Sequence, residues 1–115
     1  MKAYIEILER ILNQSNRGLD IITDCCPAAA EVVNNPKKKF RLRSDERTPS
    51  AQLCPPRDSG DSWHVVDYGG GEGESYFSPV SLYMWTYGYS QDRFMAVLQE
   101  LAERYPEVEC QQTHY

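Results

Sequence analysis

The chain has 115 residues, 41% of them hydrophobic, and carries 12 Lys and Arg against 17 Asp and Glu, a formal net charge of −5. That length accommodates one domain with a modest core, and the acidic balance disfavours indiscriminate nucleic-acid binding. No apolar run approaches the roughly 20 residues that span a bilayer. The opening MKAYIEILERIL interleaves charges as a signal peptide's apolar region does not, so no membrane association and a cytoplasmic location are expected.

The periodicity predicts a first helix over Lys2–Gln14, with Tyr4, Ile5, Leu8, Ile11 and Leu12 on one face. Asn16-Arg17-Gly18 reads as its stop. A short helix is expected over Asp20–Cys26, and another turn or two begins at Pro27 and closes at Asn34-Asn35-Pro36. Three strands follow: Lys39–Arg43, alternating strictly with Phe40 and Leu42 inward; Ser50–Cys54; and Ser62–Tyr68. In the last, Trp63, Val65 and Asp67 share one face, and His64, Val66 and Tyr68 share the other. The short connections make this an antiparallel meander. Gly69–Glu74, GGGEGE, lacks the Lys-Ser/Thr of a phosphate loop and is expected to be a turn or lid. Ser78-Pro79 starts a helix that Gly88 ends, and Ser90 caps a last helix over Gln91–Tyr105. The fold class is thus α+β, a three-stranded antiparallel sheet packed with N-terminal and C-terminal helices. Residues 1–18 form an N-terminal helix packing on the domain, 19–106 the domain itself, and 107–115 a loosely ordered tail.

Cys25, Cys26, Cys54 and Cys110 form no C-x-x-C pair, and only His64 and His114 could join them, so they read as reduced, packed thiols. No nucleophile–base–carboxylate set stands out, and the carboxylates form no D-x-D pair, so no catalytic residue is assigned. The charge distribution is more informative. Residues 37–47 hold six basic side chains against two acidic ones, and the remainder holds six against fifteen. Lys37, Lys38, Lys39, Arg41, Arg43 and Arg47 are therefore candidate phosphate contacts, with Thr48 and Ser50 supplying hydroxyls. Trp63, His64 or Tyr68 could stack bases. Cations beside aromatic platforms are what single-stranded nucleic acid requires, although lysines on an edge strand also serve to block aggregation.

Several pieces, in order, resemble the N-terminal zinc-binding domain of bacterial DNA primases. In that family a Cys-Pro-x-His knuckle precedes a Lys-Thr-Pro-Ser motif. A hairpin follows, then a Cys-x-x-Cys knuckle and a glycine turn, and two helices end in Leu-Ala-x-x-Tyr. Here Glu46-Arg47-Thr48-Pro49-Ser50 is similar to the first motif, and Trp63–Tyr68 with Gly69–Gly73 is similar to the second knuckle and its turn. Tyr87-Gly88-Tyr89-Ser90, Phe94 and Leu101-Ala102-Glu103-Arg104-Tyr105 resemble the closing helices, and Asp20-Ile21-Ile22 resembles the start of the family's first helix. The likeness covers Leu19 to Tyr105. It implies a zinc-ribbon-like domain that binds single-stranded DNA template in primer synthesis. Polymerisation would lie in a separate domain.

The four positions where the family holds its metal are Arg41, Ser44, Val65 and Tyr68, none of them a zinc ligand of the family's kind. Zinc is therefore expected in the family and not here, with Phe40, Leu42, Val65 and the aromatics of Pro79–Tyr87 supplying apolar packing instead. The expected partners are single-stranded DNA and, alternatively, a replicative helicase or a primase polymerase domain docked on Tyr83, Trp85 and Tyr87.

Overall fold

The structure, a computed structural model, describes residues 2–35, 37–42, 49–68 and 75–106. Helix α1 (Lys2–Asn13) ends in a turn where Asn16, Arg17 and Gly18 all have positive φ, of 55°, 56° and 93°. The turn is held from within. The buried Ser15 hydroxyl donates to the Ile11 carbonyl at 2.7 Å, and the Asp20 amide donates to the Ser15 carbonyl at 3.0 Å. Helix α2 (Leu19–Cys25) then buries Ile21 and Ile22. Cys26 is extended, the conformation favoured before proline, so α3 (Pro27–Ala30) starts in a new direction with Pro27 at its first position.

The sheet comprises β1 (Ala51–Cys54), β2 (His64–Asp67) and β3 (Ser75–Phe77), antiparallel in that order. Ala51 pairs with Asp67 and Leu53 with Val65, while Val65 also pairs with Phe77 and Val66 with Tyr76. The meander is shifted from the one expected. The described part of the segment predicted as a first strand over 39–43 makes a single bridge, Phe40 to Ala51, with paired hydrogen bonds of 2.9 and 3.0 Å. Arg43 lies outside the described residues. The third strand is instead Ser75–Phe77, on the far edge, so β2 is central. Gly69–Glu74 and the tail from Glu107 also lie outside the described residues.

Helix α4 (Pro79–Tyr87) begins as its sequence dictates. The Ser81 amide donates to the Ser78 hydroxyl at 3.1 Å, and the Ser78 amide donates back to the Ser81 hydroxyl at 2.8 Å. Gly88 closes it with φ 74°. A one-turn 3₁₀ segment, Gln91–Arg93, leads into α5 (Phe94–Arg104).

Packing sorts these elements into three layers. Sheet residues Ala51, Leu53 and Val65 join Phe40, Ala29, Val32, Ile22 and Leu82 in one buried cluster. A second cluster holds Ile11, Ile21, Val80, Tyr83, Met84, Val97, Leu98 and Leu101. Neighbours Ile21 and Ile22 thus face opposite clusters, as do Leu82 and Tyr83, which makes α2 and α4 the middle layer. A helix packed on two sides is apolar nearly all round, which accounts for the PVSLYMW run of α4. Helix α1 lies on the outer layer with α5, where Tyr4 meets Phe94 edge-on at 5.8 Å, and not on the sheet. No helix among the described residues is long and apolar enough to cross a membrane.

Candidate nucleic-acid interface

Strand alternation decides which side chains face away from the helices. Ala51, Leu53, Val65 and Asp67 are buried inward. Gln52, Cys54, His64, Val66 and Tyr76 therefore belong to the outer face, and the pairing of Tyr76 with Val66 sets Tyr76 beside His64. The rings of His64 and Tyr76 lie 4.9 Å apart, tilted by 30°. Tyr76 is 62% exposed and Tyr68, one residue past β2, is 46% exposed. The Tyr68 amide donates to the Ser50 carbonyl at 3.1 Å, prolonging the ladder far enough to keep Tyr68 in line.

The cations approach this face from the β1 edge. The Phe40 bridge anchors the segment, and the exposed Lys39 places its ammonium 4.8 Å from the centre of the Tyr68 ring. Such a pair contributes about 0.5–1 kcal/mol at an exposed site. Lys37, Lys38 and Arg41 are also exposed, and the Lys38 amide closes a turn onto the Asn35 carbonyl at 3.0 Å.

The remaining expected site residues are placed differently. Trp63 packs against the sheet-side core, and its amide donates to the Arg17 carbonyl at 2.9 Å, so it does not share the face of His64 and Tyr68. Ser50 turns its hydroxyl to the buried Asp67 carboxylate at 3.2 Å. Arg43, Ser44, Arg47 and Thr48 lie outside the described residues. Tyr76 is the functional candidate that sequence reasoning missed. Its strand is only three residues long and follows a glycine run, so it carries almost no alternation to detect.

Acidic and neutral groups tune the rim. The Arg57 amide donates to Asp61 at 3.0 Å and holds that exposed carboxyl below its ordinary range. The Tyr76 phenol is raised, first by partial burial and then by the charge of Asp61. Burial pushes the Cys25 thiol up to about 11 and also raises Cys26 and Cys54, which keeps these thiols protonated near neutrality. The Cys26 thiol donates to the Arg41 carbonyl at 3.7 Å, a packing role. Of the positions that correspond to zinc ligands in the resembling family, Val65 is fully buried and apolar, Arg41 is a cation, and Tyr68 lies under Lys39. This donor set does not fit zinc. Among the described residues no three His, Cys, Asp or Glu side chains converge to hold a metal.

The aromatic helix α4 divides between two roles. Tyr83 is buried, donates to Glu100 and receives Arg104 Nη1 at 3.4 Å. Trp85 and Tyr87 are 43% and 54% exposed. Burial, then the hydrogen bond to the Glu100 carboxylate, pushes the Tyr83 phenol up to about 12. The unfolded chain releases that proton near pH 10. The resulting stabilisation is complete below pH 10 and is lost as pH rises toward 12. Tyr105, raised by burial and by its hydrogen bond to Asp24 at 2.7 Å, acts in the same direction. We therefore expect unfolding free energy to fall between pH 10 and 12, less steeply in Tyr83→Phe. Equal slopes for the two proteins in urea titrations would exclude Tyr83 as a source.

Comparison with known protein families, with curated proteins and with solved structures gives no match.

Proposed function

We propose that this protein binds single-stranded DNA across the outer face of its sheet, as the template-binding domain of a primase would, without itself polymerising nucleotides. The observation that carries this reading is the Lys39 ammonium seated 4.8 Å from the Tyr68 ring on the face that also holds the His64–Tyr76 pair. Phosphates need the cations, and bases need exposed rings whose edges are not already committed to the core. A lysine that served only to guard a sheet edge would have no use for the exposed Tyr68 ring beneath it. The zinc-ribbon resemblance supports the template-binding form of the reading.

Fluorescence anisotropy with a labelled 12-nucleotide single strand at low salt tests it. Stacking contributes about 1–3 kcal/mol per base, so Tyr76→Ala is expected to weaken binding roughly tenfold or more, and Tyr76→Phe to retain most of it. Tyr76 is exposed, so its loss leaves the fold intact. Wild-type affinity in Tyr76→Ala would overturn the assignment of this face.

A second reading, docking of a helicase or polymerase domain, rests on the exposure of Trp85 and Tyr87. Trp85→Ala separates the two, because the DNA reading predicts unchanged affinity for the single strand.

A further inference from the structure

Behind the cationic segment lies a cleft of about 330 Å³ between α3 with its following turn and residues 38–41. Its floor is apolar and well packed, with Val32 and Phe40 buried in the sheet-side core and Ala28 and Pro49 completing the wall. Lys38, Lys39 and Arg41 line the other side. The volume falls at the lower end of the range for small-ligand sites, about 300–1,000 Å³. It has room for about one nucleotide and none for a longer stretch of nucleic acid.

We propose that this cleft binds one nucleoside 5′-monophosphate unit, its base against Phe40, Val32 and Pro49 and its phosphate between Lys38 and Arg41. Two cations exceed what the single charge of one internal phosphodiester requires, whereas a terminal phosphate monoester carries about −1.5 to −2. Among the described residues Glu31 is the one carboxylate in the lining. Ionised, it only accepts hydrogen bonds, so it selects a base edge rich in donors. Guanine, with a ring N–H and an amino group side by side, matches its two oxygens; thymine offers a single N–H. The unit has two possible sources, a free nucleotide or the phosphorylated end of a bound strand. The second source rests on the reading of the sheet face given above. Lys39 connects the two places, because it lines the cleft while its ammonium sits over Tyr68. A single strand crossing the aromatic face would thus deliver its end to the cleft.

Calorimetric titration of the whole chain with dGMP, dTMP and inorganic phosphate, and anisotropy of one 12-mer with and without a 5′-phosphate, test this. Ala28→Leu fills the cleft from α3 and leaves the outer sheet face untouched; Tyr76→Ala does the reverse. We expect dGMP to bind wild type and Tyr76→Ala alike, at least fivefold tighter than dTMP, and at least tenfold more weakly to Ala28→Leu. A 5′-phosphate that tightens 12-mer binding in wild type but not in Ala28→Leu identifies the strand end as a source. dGMP binding with no such effect identifies the free nucleotide. Should Ala28→Leu melt well below wild type, Glu31→Gln serves instead, with loss of the preference for dGMP over dTMP as the expected result. The proposal is overturned if neither dGMP nor the 5′-phosphate has any effect, or if inorganic phosphate competes as well as dGMP. Either failure leaves 12-mer binding through Tyr76, and with it the sheet-face reading, standing or falling by its own test.

Discussion

Gly18→Ala is expected to lower the unfolding free energy by about 2–6 kcal/mol, from a backbone cost of about 1–3 for a non-glycine held at strained φ and about 1–3 for overpacking. Gly18 has φ 93°, and a methyl group there would fall 2.3 Å from Pro79 Cγ and 3.3 Å from a Leu12 methyl. Pro79 is itself pinned as the first residue of the capped helix α4, so it has little room to retreat. The same turn organises the start of the central strand. The Arg17 carbonyl accepts from the Trp63 amide at 2.9 Å, and Arg17 Nε donates to the Asp61 carbonyl at 2.9 Å. Arg17 is also tied to Glu9 at 3.1 Å. Disturbing Gly18 therefore reaches His64 as well as the helices. With total stability of order 5–15 kcal/mol for a domain, the loss is a large fraction. Urea unfolding followed by circular dichroism measures it; a change below about 1 kcal/mol would mean that α1 and α4 can separate without cost.

The second large effect concerns binding. The triple reversal Lys37→Glu, Lys39→Glu, Arg41→Glu is expected to weaken single-stranded DNA binding at least about 100-fold at 0.1 M salt. Each phosphate contact contributes a slope of about −0.7 in log affinity against log salt on single strands, so three contribute about 2 log units at that concentration. All three side chains are exposed, and surface substitutions of this kind usually alter stability by no more than about 0.5 kcal/mol. The affinity loss should thus appear without a comparable loss of fold, and the salt slope should fall by about 2. An unchanged slope would take this segment off the path of the nucleic acid and leave the lysines as guards of the β1 edge.

The helices were legible because their signals are local. Ser78-Pro79 and Gly88 mark both ends of α4, and the extended Cys26 before Pro27 breaks α2 from α3 as the sequence implies. The sheet was only partly legible. Phe40 does turn inward and bond to Ala51, but one bridge is all that the described part of that segment contributes. Ser75–Phe77 takes the third place because Phe77 can cover Val65 and pack on Trp85 at 5.3 Å, a gain that exists only once α4 is in position. The candidate site divides in the same way. Alternation alone separates His64 and Tyr68 from Val65 and Asp67, whereas the exclusion of Trp63, the turning of Ser50 toward Asp67 and the arrival of Tyr76 all depend on partners distant in the chain.

Ser90, read as the cap of the last helix, makes no side-chain capping hydrogen bond, and α5 starts at Phe94 after a 3₁₀ turn. Composition, periodicity and capping residues were therefore sufficient for the α+β class, the ends of α4 and the concentration of charge at Lys37–Arg41. These properties arise from interactions within a few residues, and the unfolded chain already encodes them. Which edge the third strand occupies, which aromatics remain exposed, and that Lys39 rests on Tyr68 were decided by tertiary packing. A three-residue strand and a single cation–ring contact are each too weak to form alone. They persist because the buried clusters on both sides of α2 and α4 hold their partners in place.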